Sequence, residues 1–65
     1  MKKTIDLLNE AMELGFGREY ALSGIDASID DAVGFDNRKP LMEETISEEL
    51  YNDILSGFEC EKEFE

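Results

Sequence analysis

Thr4-Ile5-Asp6-Leu7-Leu8-Asn9-Glu10-Ala11-Met12-Glu13-Leu14 is the stretch that decides the fold of this chain. At about 100° per residue its apolar members, Ile5, Leu7, Leu8, Ala11, Met12 and Leu14, occupy one half of a helical wheel, the pattern of an amphipathic helix. Thr4 stands where an N-cap is expected and Gly15 where a helix stops. On the opposite half, Asp6, Glu10 and Glu13 follow i, i+4, i+7 spacing and align in one anionic stripe.

Outward from this helix, Gly15-Phe16-Gly17 reads as a turn, with Phe16 expected to fold back onto the core. From Arg18 to Val33, Leu22, Ile25, Ile29, Ala32 and Val33 recur at spacings of three and four, so this is a second helical region. Gly24 costs about 1 kcal/mol in a helix interior, and Ser23 or Asp26 can cap a restart. The region therefore reads as either one helix or two short ones, ended by Gly34. Phe35 to Thr45 contains the only proline, Pro40, and the basic pair Arg38-Lys39, and reads as a loop whose Leu41 and Met42 pack on the helices.

A third helix is predicted from Ser47 as N-cap, with Ile46 and Tyr51 forming a hydrophobic staple. Thr45 is the alternative cap, because Glu48 lies three residues later. Leu50, Tyr51, Ile54, Leu55 and Phe58 form the apolar face, with Glu49 and Asp53 opposite. Glu43, Glu44, Glu48 and Glu49 lie where negative charge favours a helix N-terminus. Residues 58–65 form an alternating acidic tail, either frayed or added to a partner contact. The expectation is an all-α, small, compact domain of three helices, or four short ones, spanning residues 1–65 as a single acidic unit.

Sixty-five residues bury only about 60% of the surface of the unfolded chain, which leaves no room for a second domain or an enclosed active site. Apolar residues make up 42% of the chain and are spread along most of it, which favours a folded domain over disorder. Cys60 is the only cysteine and there is no histidine. Neither a disulfide, a Cys/His zinc site nor a Ser-His or Cys-His pair can be built. No catalytic, cofactor-binding or metal-binding residues are expected, and the chain reads as non-enzymatic.

A calcium loop fails on inspection. Asp26, Ser28 and Asp30 match its first, third and fifth positions, but Asp31 replaces the required glycine and Asn37 the required glutamate. Gly15-Phe16-Gly17 is not a phosphate loop, since no strand precedes it and a third glycine is missing. A helix-turn-helix over residues 4–33 would turn Asp26, Asp30 and Asp31 toward the phosphates of DNA. No run of apolar residues reaches the length of a signal sequence or a membrane span, so a cytoplasmic location is expected.

The formal net charge is −11. Such a chain is repelled by nucleic acid and by anionic membranes, and attracted to basic protein surfaces. Residues 43–65 hold nine carboxylates against Lys62 alone, a local charge of −8. Self-repulsion on this scale opposes compaction in a domain with little core to spare, and is more easily understood if a partner uses the charge. Carboxylates four apart on a helix lie about 6 Å apart along its axis, of the order of successive phosphates along a strand.

In size and charge over its whole length, the chain resembles the small acidic inhibitors that phages and mobile elements use against restriction or CRISPR enzymes. The resemblance is compositional, and implies mimicry of DNA toward a nucleic-acid-binding enzyme. On this reading Asp6, Glu10, Glu13, Glu48, Glu49, Asp53, Glu59 and Glu61 contact a basic protein surface, with Tyr20 or Tyr51 as aromatic anchors if exposed. The alternative is a helical adaptor, antitoxin-like regulator or homodimer that binds through its apolar helix face, at Leu8, Leu50 and Ile54.

Overall fold

A computed structural model describes residues 1–64 and shows a small all-α domain with one minimal strand pair. In chain order the elements are β1 (Lys2–Lys3), α1 (Thr4–Glu13), α2 (Arg18–Val33), a 3-10 turn (Phe35–Asn37), β2 (Thr45–Ile46) and α3 (Glu48–Glu63). Residue 65, the end of the acidic tail, lies outside the described residues.

Ten residues are too few for a stable helix in isolation, and α1 is held by packing on two sides, against α2 and against α3. Its inward residues Leu7, Leu8 and Ala11 are fully buried. Ala21, Ile25 and Ile29 meet them from α2, and Tyr51, Ile54 and Phe58 from α3. Each fully buried Leu or Ile contributes about 1.5–3 kcal/mol through removal from water. Ala32 and Val33, although in phase with the apolar pattern of α2, are exposed.

The start of α1 differs from the expected side-chain cap. Lys3 occupies the N-cap position in extended backbone, without a side-chain cap bond, and Thr4 is the first helical residue. β1 runs straight into the helix, pairing antiparallel with β2 in the register Lys2 to Ile46 and Lys3 to Thr45. The Thr4 amide continues this ladder by donating to the Glu44 carbonyl at 3.0 Å. Strand pairing thus satisfies one of the first amide donors of the helix, which have no partner within it. Thr4 is fully buried, and among the described residues its hydroxyl is the buried side-chain polar atom without a hydrogen-bond partner.

At the other end, Gly15 adopts φ +109°, a conformation that favours glycine. Its amide donates to the Met12 carbonyl and that of Phe16 to the Ala11 carbonyl, the paired bonds of a Schellman stop. Phe16 folds inward as expected, half-buried against the core.

α2 is one continuous helix across Gly24. The segment 35–45 is more ordered than a loop, holding the 3-10 turn and the start of β2. Leu41 packs on the core, whereas Met42 is 74% exposed and does not. Ser47 caps α3, its hydroxyl accepting from the Leu50 amide at 3.1 Å. Ile46 and Tyr51, the two halves of the staple, are both buried. α3 continues through Gly57 to Glu63, so Glu59 and Glu61 lie on a helix and not in a frayed tail. Among the described residues no helix is long and apolar enough to cross a membrane.

Candidate functional site

The eight carboxylates singled out by sequence lie on α1 and α3 but do not form one surface. On α1, Asp6 and Glu13 are exposed, about 10 Å apart along the axis at seven residues' separation. Glu10, between them in sequence, leans toward α3 and accepts a hydrogen bond from the Tyr51 hydroxyl. The anionic stripe is thereby interrupted at its middle. Tyr51 is only 4% exposed, so it is a core residue and not a surface anchor. Burial first, then the bond to Glu10 and the charges of Glu10 and Asp6, hold its hydroxyl protonated far above the ordinary tyrosine range. The Lys2 ammonium lies 4.8 Å from the centre of the Tyr51 ring, a cation–π contact that ties β1 to α3.

On α3 the helical angle sorts the remaining carboxylates into three groups. Glu49 and Asp53 share the outward ridge, bordering the exposed Ala32 and Val33 of α2. Glu48 and Glu59, eleven residues or three turns apart, lie along the flank on the α1 side and are exposed. Glu61 falls on the α2 side, where it accepts a hydrogen bond from the Tyr20 hydroxyl. Tyr20 is 54% exposed and remains accessible as an aromatic contact. It stacks on Phe16 at 5.6 Å between ring centres, and Phe16 tilts against Phe58 at 5.2 Å. Among the described residues, Asp6, Glu13, Glu48, Glu49, Asp53 and Glu59 enter no ion pair.

A second group of carboxylates was not singled out by sequence. Arg38, in the segment between α2 and β2, pairs with Asp26 at 2.7 Å, Asp30 at 2.6 Å and Glu44 at 2.8 Å. It donates twice to Glu44, through Nε and Nη2, and once to the Asp26 carbonyl. Glu44 is buried, and the Lys39 amide also points at its carboxylate. The Arg38 hydrogen bond holds Glu44 below the usual carboxylate range, against the opposing effect of burial. Glu44 is therefore a buried structural anion, not a surface charge before α3. Asp26 and Asp30, the two aspartates of the failed calcium match, are the partners of a guanidinium.

The arrangement leaves the molecule electrically uneven. Four of its six basic residues, Lys2, Lys3, Arg38 and Lys39, lie on β1 and in the segment before β2. The exposed carboxylates of α1 and α3 are thus left without a basic residue in an ion pair among the described residues. Leu8 and Ile54 are buried in the core and Leu50 is half-buried, so the inward helix faces are already occupied within the chain. The most open apolar side chains are elsewhere: Met1, Phe64, Phe35 and Met42 are 87, 86, 82 and 74% exposed. Comparison with protein-family models, with curated proteins and with solved structures finds no match to this chain.

Proposed function

We propose that this chain is a non-enzymatic acidic protein that occupies a basic surface of a nucleic-acid-binding protein in place of nucleic acid, as an inhibitor of the anti-restriction or anti-CRISPR type would. The observation that carries this reading is the set of six exposed carboxylates on α1 and α3 without ion-pair partners among the described residues. The fold requires none of them as a counter-ion, yet each adds to the self-repulsion of a small domain. Glu49 and Asp53, four apart on one ridge, have the axial spacing of successive strand phosphates. The α3 helix, about 24 Å long at 16 residues, is long enough to lie along a basic groove.

Affinity capture from the native host is the test. The partner recovered is expected to bind nucleic acid, to release this chain as salt is raised, and to exchange it for duplex DNA. An affinity that stays constant between low and high salt removes the reading.

A small helical adaptor, antitoxin-like regulator or homodimer is the second reading, supported by the exposed apolar side chains of Met1, Phe35 and Met42. Its mark would be a stable dimer mass by light scattering at every salt concentration, lost in Phe35→Ser.

A further inference from the structure

Along one side of the molecule α2 and α3 are separated by a groove of about 260 Å³, lined by Gly24, Ser28, Ile54, Gly57, Phe58 and Glu61. Its two glycines stand in helix interiors, where each costs about 1 kcal/mol relative to alanine. Packing within the chain accounts for Gly24, because a Cβ there would lie 3.3 Å from Phe58 Cζ. Gly57 has no such reason. A Cβ at Gly57 would meet nothing within 4 Å, and its φ is not positive. Neither the packing nor the backbone of the free protein requires glycine at this place.

The chemistry of the groove is one-sided. Ile54 and Phe58, 8 and 6% exposed, give it an apolar floor, and its charged side chain is the Glu61 carboxylate, oriented by the hydroxyl of Tyr20. A carboxylate has about four acceptor positions, so the bond from Tyr20 leaves others open. Through Phe58 the groove is continuous with the aromatic row of Phe16 and Tyr20. An apolar floor, the exposed Tyr20 ring beside Glu61 and one carboxylate match an arginine side chain. Its methylenes lie along apolar surface, while its planar guanidinium stacks on rings and forks onto a carboxylate. Lysine supplies the charge without the plane.

We infer that the α2–α3 groove receives an arginine side chain of the basic partner, with Gly57 bare to let it approach and Glu61 binding its guanidinium. This deepens the function proposed above and rests on it.

Nona-arginine and nona-lysine peptides, titrated at equal ionic strength and followed by backbone amide shifts, provide the test. Nona-arginine is expected to bind about tenfold more tightly than nona-lysine, corresponding to one charge-assisted hydrogen-bonded contact. Shifts should concentrate at Gly24, Ser28 and Gly57. Gly57→Ala should raise the melting temperature yet weaken nona-arginine binding several-fold, and Gly57→Leu, checked for folding by circular dichroism, should weaken it about tenfold. Glu61→Gln should remove the preference for arginine. Equal affinity for the two peptides, or unchanged nona-arginine binding in Gly57→Leu and Glu61→Gln, overturns the inference. If only Glu49→Lys and Asp53→Lys weaken binding, the acidic-surface reading survives and the groove does not. If neither peptide binds at low salt, both fall.

Discussion

On the flank of α2, Asp26 and Asp30 stand four residues apart and share Arg38 with the buried Glu44; on the outer ridge of α3, Glu49 and Asp53 also stand four apart, and share nothing. Both are carboxylate pairs at the same spacing, and the roles differ because one pair has a cation folded onto it. In the first region carboxylates hold the segment between α2 and β2 against the helix. In the second they are left to water, where each contributes field and no contact. Acidity in this chain therefore has two physical meanings: a structural one near Arg38 and an electrostatic one along α3.

The comparison is tested most severely at its cation. Arg38→Ala leaves a buried carboxylate and two nearby aspartates without their counter-ion, and should cost roughly 3 kcal/mol, the lower end of what breaking a buried pair costs. Urea unfolding measures this directly. A loss no larger than that of an exposed substitution would mean the two regions do not differ.

Glu44→Gln is the next smaller effect, about 1–2 kcal/mol at neutral pH, because the amide oxygen still accepts from Arg38 but without charge. Its pH dependence has a definite sign. Folding lowers the pKa of Glu44 from its ordinary 4.5, so the ionised group stabilises fully above that value and loses its contribution as pH falls through the lower folded pKa. The stability gap between the natural chain and Glu44→Gln should hold from neutral pH to about 5 and close below about 4.5. A gap that widens on acidification contradicts the pairing.

What the sequence made legible was local. The Schellman stop at Gly15, the Ser47 cap and the Ile46–Tyr51 staple each depend on residues within a few positions, and each stands where the pattern places it. What was illegible depends on distant partners. Gly24 read as a possible break between two helices because its reason for being small is Phe58, on another helix. A two-residue strand has no periodicity to recognise, so nothing in Lys2–Lys3 announces β1, and Thr4 reads as a cap. Of the eight carboxylates, Asp6, Glu10, Glu13, Glu49 and Asp53 follow from helical phase, which finds the outward ridge of Glu49 and Asp53 correctly, whereas Glu59 and Glu61 read as part of an acidic tail. Phase alone does not show that Glu10 bonds to Tyr51 and Glu61 to Tyr20. Nor does it distinguish Asp26 and Asp30, whose spacing is that of any exposed pair, from residues bound to an arginine eight and twelve positions away.

The smallest expected change in stability is the most informative about function. Glu49→Lys with Asp53→Lys replaces two exposed anions that enter no ion pair, so the fold should change by no more than about 0.5 kcal/mol. Two opposing effects keep the change small: the reversals bring the net charge from −11 to −7 and relieve self-repulsion, while a lysine at position 49 loses the favourable place of Glu49 in the first turn of α3. The same reversal placed at Asp26 and Asp30 would set lysines against Arg38 and destabilise the fold. Binding should show the opposite order. Reversal on the ridge should slow association with a basic partner and flatten its dependence on salt, since long-range attraction acts mainly on the rate of encounter. Stopped-flow association at several salt concentrations measures both. A ridge reversal that unfolds the protein would make those carboxylates structural after all, whereas one that leaves both stability and association unchanged would make them simple solvation.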